Sequence, residues 1–116
     1  MTLYGIPNCN TVKKAQDWLK SNQIAYEFHD FKKKGVTPEK LDQWFDAFGW
    51  EKVINRNGLT FKKLSKEEQV QLNTPEQVSS YLQANTSAIK RPILERDGKA
   101  ILIGFSAEDY ALLKAH

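Results

Sequence analysis

The strongest constraint on the fold is the pattern of residues 1–31, which predicts a strand, a helix and a second strand in succession. Residues 1–4 form a short apolar segment, and residues 12–19 place apolar side chains at helical spacing. Residues 24–31 then alternate with a period of two, which predicts a strand. Two strands joined by a helix are expected to be parallel neighbours with a right-handed crossover. The chain is therefore predicted to be an α/β protein.

The chain's only cysteine, Cys9, follows the loop of residues 5–8 and lies in the first turn of the predicted helix. A helix N-terminus presents unpaired N–H groups and the positive end of the helix dipole, and both favour thiolate over thiol. We therefore expect Cys9 to be a nucleophile stabilised by donors on Asn10 and Thr11, with Lys13 adding positive field. The alternative is that Cys9 is a small buried hydrophobe, as a lone cysteine often is. Its polar loop favours the reactive interpretation.

Composition excludes several classes of protein. A single cysteine rules out an internal disulfide framework, and Val12 stands where the second thiol of a Cys-x-x-Cys pair would be. No apolar run reaches the length of a membrane span, and no signal peptide precedes the first strand, so we expect a cytoplasmic protein. No metal-ligand spacing or phosphate-binding glycine loop is present.

The net charge of +3 is too small to indicate direct nucleic-acid binding. The densest basic run, at residues 32–34, has no interleaved aromatic residues or arginines. We interpret this run as a solvated loop.

Residues 38–85 are predicted to be mainly helical. A cap residue followed by proline opens a helix at Thr37 and again at Thr74, and a Ser65-x-x-Glu68 capping box predicts a short helix between them. Residues 50–64 are ambiguous between helix and loop.

The C-terminal part predicts two strands and a helix. Residues 91–95 and 99–103 flank Asp97-Gly98, a typical hairpin turn, and Ser106 is a helix-capping residue. The predicted order is βαβ, helical insertion, ββα. We therefore expect one domain over residues 1–116, with residues 38–85 as an insertion.

Three segments in this order resemble the arsenate reductase-related family: YGIPNCNTVKKA at 4–15, NRNGLTFKKL at 55–64 and IKRPIL at 89–94. The family includes glutathione-dependent arsenate reductases, stress regulators that bind RNA polymerase, and a further reductase-like branch that the first segment resembles most. The resemblance implies a thioredoxin-like fold with a mixed sheet and with Pro92 in the cis form.

The resemblance also implies roles for single residues. Cys9 corresponds to the family's nucleophile, and Arg91 corresponds to the arginine before the cis proline, where it would orient an anionic group. Arg56 lies in the loop where arsenate reductases place another anion-binding arginine, although a solvated loop arginine is the alternative. A third arginine of the arsenate reductases is missing here, because Gly104 occupies that region, and this weakens arsenate as a substrate.

The function implied is that of a glutathione-dependent monothiol oxidoreductase. The Cys9 thiolate would attack a small-molecule or protein disulfide, or another oxidised substrate, and glutathione would resolve the mixed disulfide as a co-substrate. Arsenate is the less favoured candidate substrate. No bound cofactor is expected, and a monomer suffices. The alternative is a non-enzymatic regulator that binds RNA polymerase through its surface.

Overall fold

The computed structural model describes residues 1–115 and divides the chain into two compact units. One consists of Met1–Lys34 together with the chain from Arg91 onward, and the other is Gly35–Lys90. The first unit holds the β-sheet, and the second is built mainly from helices. The prediction of one domain over residues 1–116 stays a prediction.

The sheet has four strands: β1 (Thr2–Gly5), β2 (Glu27–Asp30), β3 (Ile93–Arg96) and β4 (Lys99–Ile103). Their order is β2-β1-β3-β4, in which β1 and β2 run parallel while β3 is antiparallel to both of its neighbours. This mixed sheet confirms the predicted thioredoxin-like fold, including the parallel pair that the first 31 residues predict.

Helix α1 (Asn10–Ser21) packs its apolar stripe against the sheet. Val12, Ala15 and Leu19 are fully buried and belong to one core cluster with Leu3 of β1 and Leu94 of β3.

The same core cluster contains the aromatic side chain of Tyr110, whose ring meets Trp18 of α1 edge-on at a centroid distance of 5.5 Å. Gly5 ends β1 where the chain turns towards α1, and a Cβ atom there would lie only 2.8 Å from Cγ2 of Val12. The close approach of strand and helix therefore requires glycine at this position.

Strand β2 is shorter than predicted, because residues 24–26 lie outside the sheet and a helical turn begins at Phe31. Phe31–Lys34 form α2, with the Phe31 side chain fully buried. The carboxylate of Asp30 accepts hydrogen bonds from the backbone N–H groups of Lys32 and Lys33, at 3.0 and 3.3 Å. The interpretation of residues 32–34 as a loop was wrong, since the aspartate caps the turn and Phe31 anchors it.

The β3–β4 hairpin turns at Asp97 and Gly98, which both have positive φ angles, of 52° and 78°. These angles match the tight turn that the Asp-Gly pair predicts. The register shifts between Leu94 and Glu95, so the hairpin contains a bulge. The peptide bond between Arg91 and Pro92 is cis, as predicted.

Helix α8 (Ala107–Ala111) follows β4 and is capped by Ser106, whose Oγ accepts from the N–H of Asp109 at 3.1 Å. A 3₁₀ turn, Leu112–Ala115, follows.

The second unit contains five α-helices and one 3₁₀ turn within the described residues: α3 (Pro38–Phe48), α4 (Trp50–Val53), α5 (Leu59–Lys62), α6 (Lys66–Gln71), α7 (Pro75–Ala84) and the turn Thr86–Ala88. The ambiguous residues 50–64 thus form two single-turn helices. Leu41, Trp44, Val78 and Leu82 are fully buried in this unit.

The caps predicted from the sequence are present in this unit. Thr37 and Thr74 each accept a backbone hydrogen bond in the first turn of their helices. Ser65 and Glu68 form a complete capping box, in which each side chain accepts from the other residue's N–H group.

Candidate functional site

The N-terminus of α1 carries the thiol. Cys9 occupies the N-cap position with extended dihedral angles (φ −131°, ψ 123°), and its carbonyl oxygen accepts the first helical hydrogen bond, from Lys13 N–H at 2.9 Å. The cysteine is half-buried, and its side chain forms no capping hydrogen bond. The sulfur therefore lies at the start of the helix beside N–H groups that no cap side chain uses.

The pKa of the Cys9 thiol is lowered by its surroundings. Burial is the largest single influence and raises the pKa, but the N–H of Val12, the side chain and charge of Arg91, and the N–H of Thr11 together outweigh it. The balance favours the thiolate, which is the nucleophilic form of cysteine.

The sheet topology brings Arg91 to Cys9. Strand β3 runs antiparallel to β1, so the residues that precede β3 lie at the same edge of the sheet as the residues that follow β1. Pro92 is buried, and its carbonyl oxygen accepts from the N–H of Gly104 at 2.8 Å, which ties the start of β3 to the end of β4. The backbone that follows Arg91 is thus fixed by the sheet, at the edge where the thiol lies.

The predicted site residues separate into two groups. Cys9, Thr11 and Arg91 interact, and Pro92 is bonded to Arg91. Asn10 and Lys13 are exposed on the first turns of α1, and their proposed roles stay predictions.

Arg56 is exposed in the second unit, where its guanidinium carbon lies 5.8 Å from the centroid of the Trp50 ring. Its role in anion binding stays a prediction. His116 lies outside the described residues.

Val12 contributes to the site, although the sequence analysis named it only as the residue in place of a second cysteine. It is the third residue after the N-cap, and the N–H at that position is the one that a cap side chain normally engages. The capping rule applied to Cys9 would have identified it.

A buried polar cluster occupies the sheet itself and was also not predicted. The Tyr4 hydroxyl donates to the carboxylate of Glu95 at 3.3 Å, and the Tyr4 and His29 rings lie 4.7 Å apart. Glu95 is only 2% exposed. Burial, with the charge and hydrogen bond of Glu95, raises the pKa of Tyr4 to about 12. Tyr4 is therefore a hydrogen-bond donor over the physiological pH range.

Two further features are absent from residues 1–115. Those residues include no group of three or more His, Cys, Asp or Glu side chains that could hold a metal ion. Over the same span, no helix combines the length and apolarity needed to cross a membrane.

The ArsC family model matches residues 4–113. The chain belongs to the ArsC family. A solved structure of an arsenate reductase (ArsC) related protein from Brucella melitensis is 40% identical, covers 99% of this chain and 94% of its own, and superposes with a TM-score of 0.77. The structure of a protein named YFFB is 41% identical, covers 96% of each chain and gives a TM-score of 0.88.

This ArsC-family chain is also related to transcriptional regulators. The global transcriptional regulator Spx of Streptococcus agalactiae is 30% identical over 111 residues, which cover 94% of this chain and 79% of the regulator. The relatives thus include both a regulator and proteins related to arsenate reductase.

Proposed function

We propose that this ArsC-family protein is a monothiol reductase that uses glutathione as its reductant. The observation that carries the proposal is the lowered pKa of Cys9, which two backbone N–H groups and Arg91 produce against the opposing effect of burial. A half-buried thiol with no such neighbours would be less acidic than a free one.

The proposed reaction has two exchange steps. The Cys9 thiolate attacks one sulfur of a disulfide R–S–S–R′, so that a new S–S bond forms in the mixed disulfide Cys9–S–S–R. The original S–S bond breaks, and R′–S⁻ leaves and takes a proton from water. A glutathione thiolate then attacks the sulfur of R, which gives R–S–S–glutathione and regenerates the Cys9 thiolate. A thiol from outside the chain must resolve the intermediate because the chain has no second cysteine, and we propose glutathione for this role.

Arg91 has two roles in this proposal. Its positive charge stabilises the thiolate before attack and again when Cys9 leaves in the second step. It would also attract a carboxylate of glutathione as that thiol approaches. Arsenate remains a substrate of lower weight, because Gly104 supplies no third cationic group.

A direct test compares the thiol of Cys9 with a thiol at another helix N-cap. The control is the double variant Cys9→Ser/Thr74→Cys, which moves the only thiol to the cap of α7. Both proteins are exposed to oxidised glutathione over a pH series, and intact mass records the adduct before and after reduced glutathione is added.

We expect the natural protein to form the adduct at lower pH than the control and to lose it on addition of reduced glutathione. Equal pH profiles would mean that Cys9 is an ordinary cap thiol, and the reductase proposal would fail. An adduct that reduced glutathione cannot remove would contradict the resolving step.

A second candidate function rests on the relationship to Spx. A regulator that binds RNA polymerase would act through its surface and would need no turnover. Two results together would favour this alternative. Polymerase subunits would be pulled down by both the natural protein and its Cys9→Ser variant, and Cys9 would form no adduct with oxidised glutathione at neutral pH.

A further inference from the structure

The basic run at residues 32–34 is placed by the sheet at the same edge as the thiol. Strands β1 and β2 are parallel, and Gly5 pairs with Asp30, so the segments that follow both strands leave the sheet side by side. Cys9 follows Gly5, and Lys32, Lys33 and Lys34 follow Asp30. We call these three lysines the basic rim.

The charges of the basic rim are not neutralised within residues 1–115. All three lysines are exposed and form no ion pair there. The nearest carboxylate in sequence, that of Asp30, is engaged with backbone N–H groups of the same turn. Phe31 is fully buried and helix α2 contacts β1, which fixes the turn beside the strand that leads to Cys9.

Acidic side chains lie at the opposite end of the same sheet edge, beyond β4. Strand β4 ends at this edge, because it runs antiparallel to β3, and Glu108 and Asp109 lie in the first turn of α8 just beyond it. The order β2-β1-β3-β4 therefore gives a charge gradient across the edge, from the basic rim through Cys9 and Arg91 to two acids.

We propose that the basic rim selects acidic protein substrates, namely segments that carry aspartate or glutamate residues beside the cysteine that Cys9 attacks. This inference rests on the proposed reductase function and names its substrate class. An acidic segment joined to Cys9 would extend along this edge to the turn that follows β2 and place its carboxylates against the three lysines. Nucleic acid fits less well, since the lysines are not interleaved with aromatic or arginine side chains and the acids beyond β4 repel a continuous phosphate chain.

The test uses three short peptides with a single cysteine, blocked as a mixed disulfide with thionitrobenzoate. Three residues beside the cysteine are all glutamate, all glutamine or all lysine. Attack by Cys9 releases coloured thionitrobenzoate, so stopped-flow absorbance gives the rate constant of the first step for each peptide. The variant Lys32→Gln/Lys33→Gln/Lys34→Gln removes the basic rim, and Lys62→Gln/Lys63→Gln/Lys66→Gln removes the same charge from exposed positions of the other unit.

We expect the natural protein to react roughly tenfold faster with the glutamate peptide than with the glutamine peptide in low salt, and slowest with the lysine peptide. Removal of the basic rim should bring the glutamate-to-glutamine ratio close to one, and the control variant should retain it. High salt should reduce the ratio in the natural protein, because exposed charges are screened beyond about 10 Å at 0.1 M salt. Measurable rates with no preference would overturn the inference and leave the reductase proposal standing.

A second measurement separates failure of the two proposals. Fluorescence anisotropy records binding of a labelled glutamate peptide without a disulfide, and of a labelled single-stranded oligonucleotide, to the same three proteins. If Cys9 attacks none of the peptides, the reductase proposal fails. Anisotropy then decides whether the basic rim binds acidic segments. Loss of peptide binding only in the basic-rim variant would support such binding. If the natural protein binds no peptide, or binds the oligonucleotide more tightly, the inference is contradicted.

Discussion

Helices α1 and α7 begin with the same backbone geometry but with different chemistry. Cys9 and Thr74 both occupy N-cap positions with φ of −131° and extended ψ angles. At α7, the Thr74 hydroxyl accepts a hydrogen bond from the N–H of Gln77, at 3.2 Å. At α1, the equivalent N–H is that of Val12, and it lowers the pKa of the Cys9 thiol. The donor that a hydroxyl uses for stability at α7 is available to a thiolate at α1.

The largest expected effect comes from making the two caps alike, with Cys9→Ser. All turnover should be lost, because no other thiol is present. Stability should not fall, since serine is a preferred N-cap and is worth up to about 1 kcal/mol relative to non-capping residues. Urea unfolding and a glutathione-coupled reductase assay measure the two effects. A variant that retains turnover would contradict the assignment of Cys9 as nucleophile.

The next-largest effect is expected at Arg91, whose side chain and charge act on the cap residue of α1. Arg91→Met should raise the pKa of Cys9, because a hydrogen bond and a positive charge that favour the thiolate are removed. The absorbance of the thiolate near 240 nm as a function of pH measures this shift. The rate of attack should fall most at neutral pH and should recover in alkali, where the thiolate forms without help.

The size of the rate loss at neutral pH follows from the kind of bond removed. A hydrogen bond to a charged group contributes about 1.5–3 kcal/mol, which sets an upper limit of roughly 10- to 150-fold on the loss, and solvent screening at the half-buried thiol reduces it. Arg96→Met is the matched control, since Arg96 lies at the other end of β3 and pairs with Lys99. An equal rate loss in both variants would mean that the net positive charge of the protein, and not a contact of Arg91 with the thiol, causes the effect.

Gly5→Ala tests whether close packing positions the start of α1. The new Cβ would lie 2.8 Å from Cγ2 and 3.1 Å from Cγ1 of Val12, so the strand or the helix must move. We expect a loss of about 1–3 kcal/mol in the free energy of unfolding. The double variant Gly5→Ala/Val12→Ala removes the clashing methyl groups. If the losses in free energy of unfolding of the two single variants simply add in the double variant, the contact between position 5 and Val12 does not determine the packing.

The smallest effect is expected at the hydroxyl cap. Thr74→Ala should cost about 1 kcal/mol of stability, because the N–H of Gln77 loses its acceptor. Thiol reactivity should be unchanged, and Thr74→Ser should restore most of the stability. A change in the rate of disulfide attack in Thr74→Ala would show that the two helix starts are energetically coupled.

Local sequence rules predicted much of the fold because the interactions concerned span only a few residues. The threonine and serine caps, the capping box at Ser65 and the Asp97-Gly98 turn all join residues at most four positions apart. The same property explains why the hairpin and α3 were placed close to their true bounds.

The remaining features depend on contacts between distant parts of the chain. Burial of Phe31 accompanies the helical turn that ends β2, and the register shift between Leu94 and Glu95 arises from pairing with β4. The bond from Tyr4 to Glu95 joins residues 91 positions apart. Arg91 was assigned through family resemblance alone, whereas its effect on Cys9 depends on the antiparallel pairing of β3 with β1.

The distribution of tryptophans makes the two compact units optically distinguishable. Trp18 is in the sheet unit, edge-on to Tyr110, whereas Trp44 and Trp50 are in the helical unit. The variant Trp44→Phe/Trp50→Phe would therefore emit only from Trp18 on the thiol-bearing helix α1, and Trp18→Phe only from the other unit. Coincident fluorescence midpoints in urea would mean that the chain melts as one cooperative body, and separate midpoints would give each unit its own melting curve.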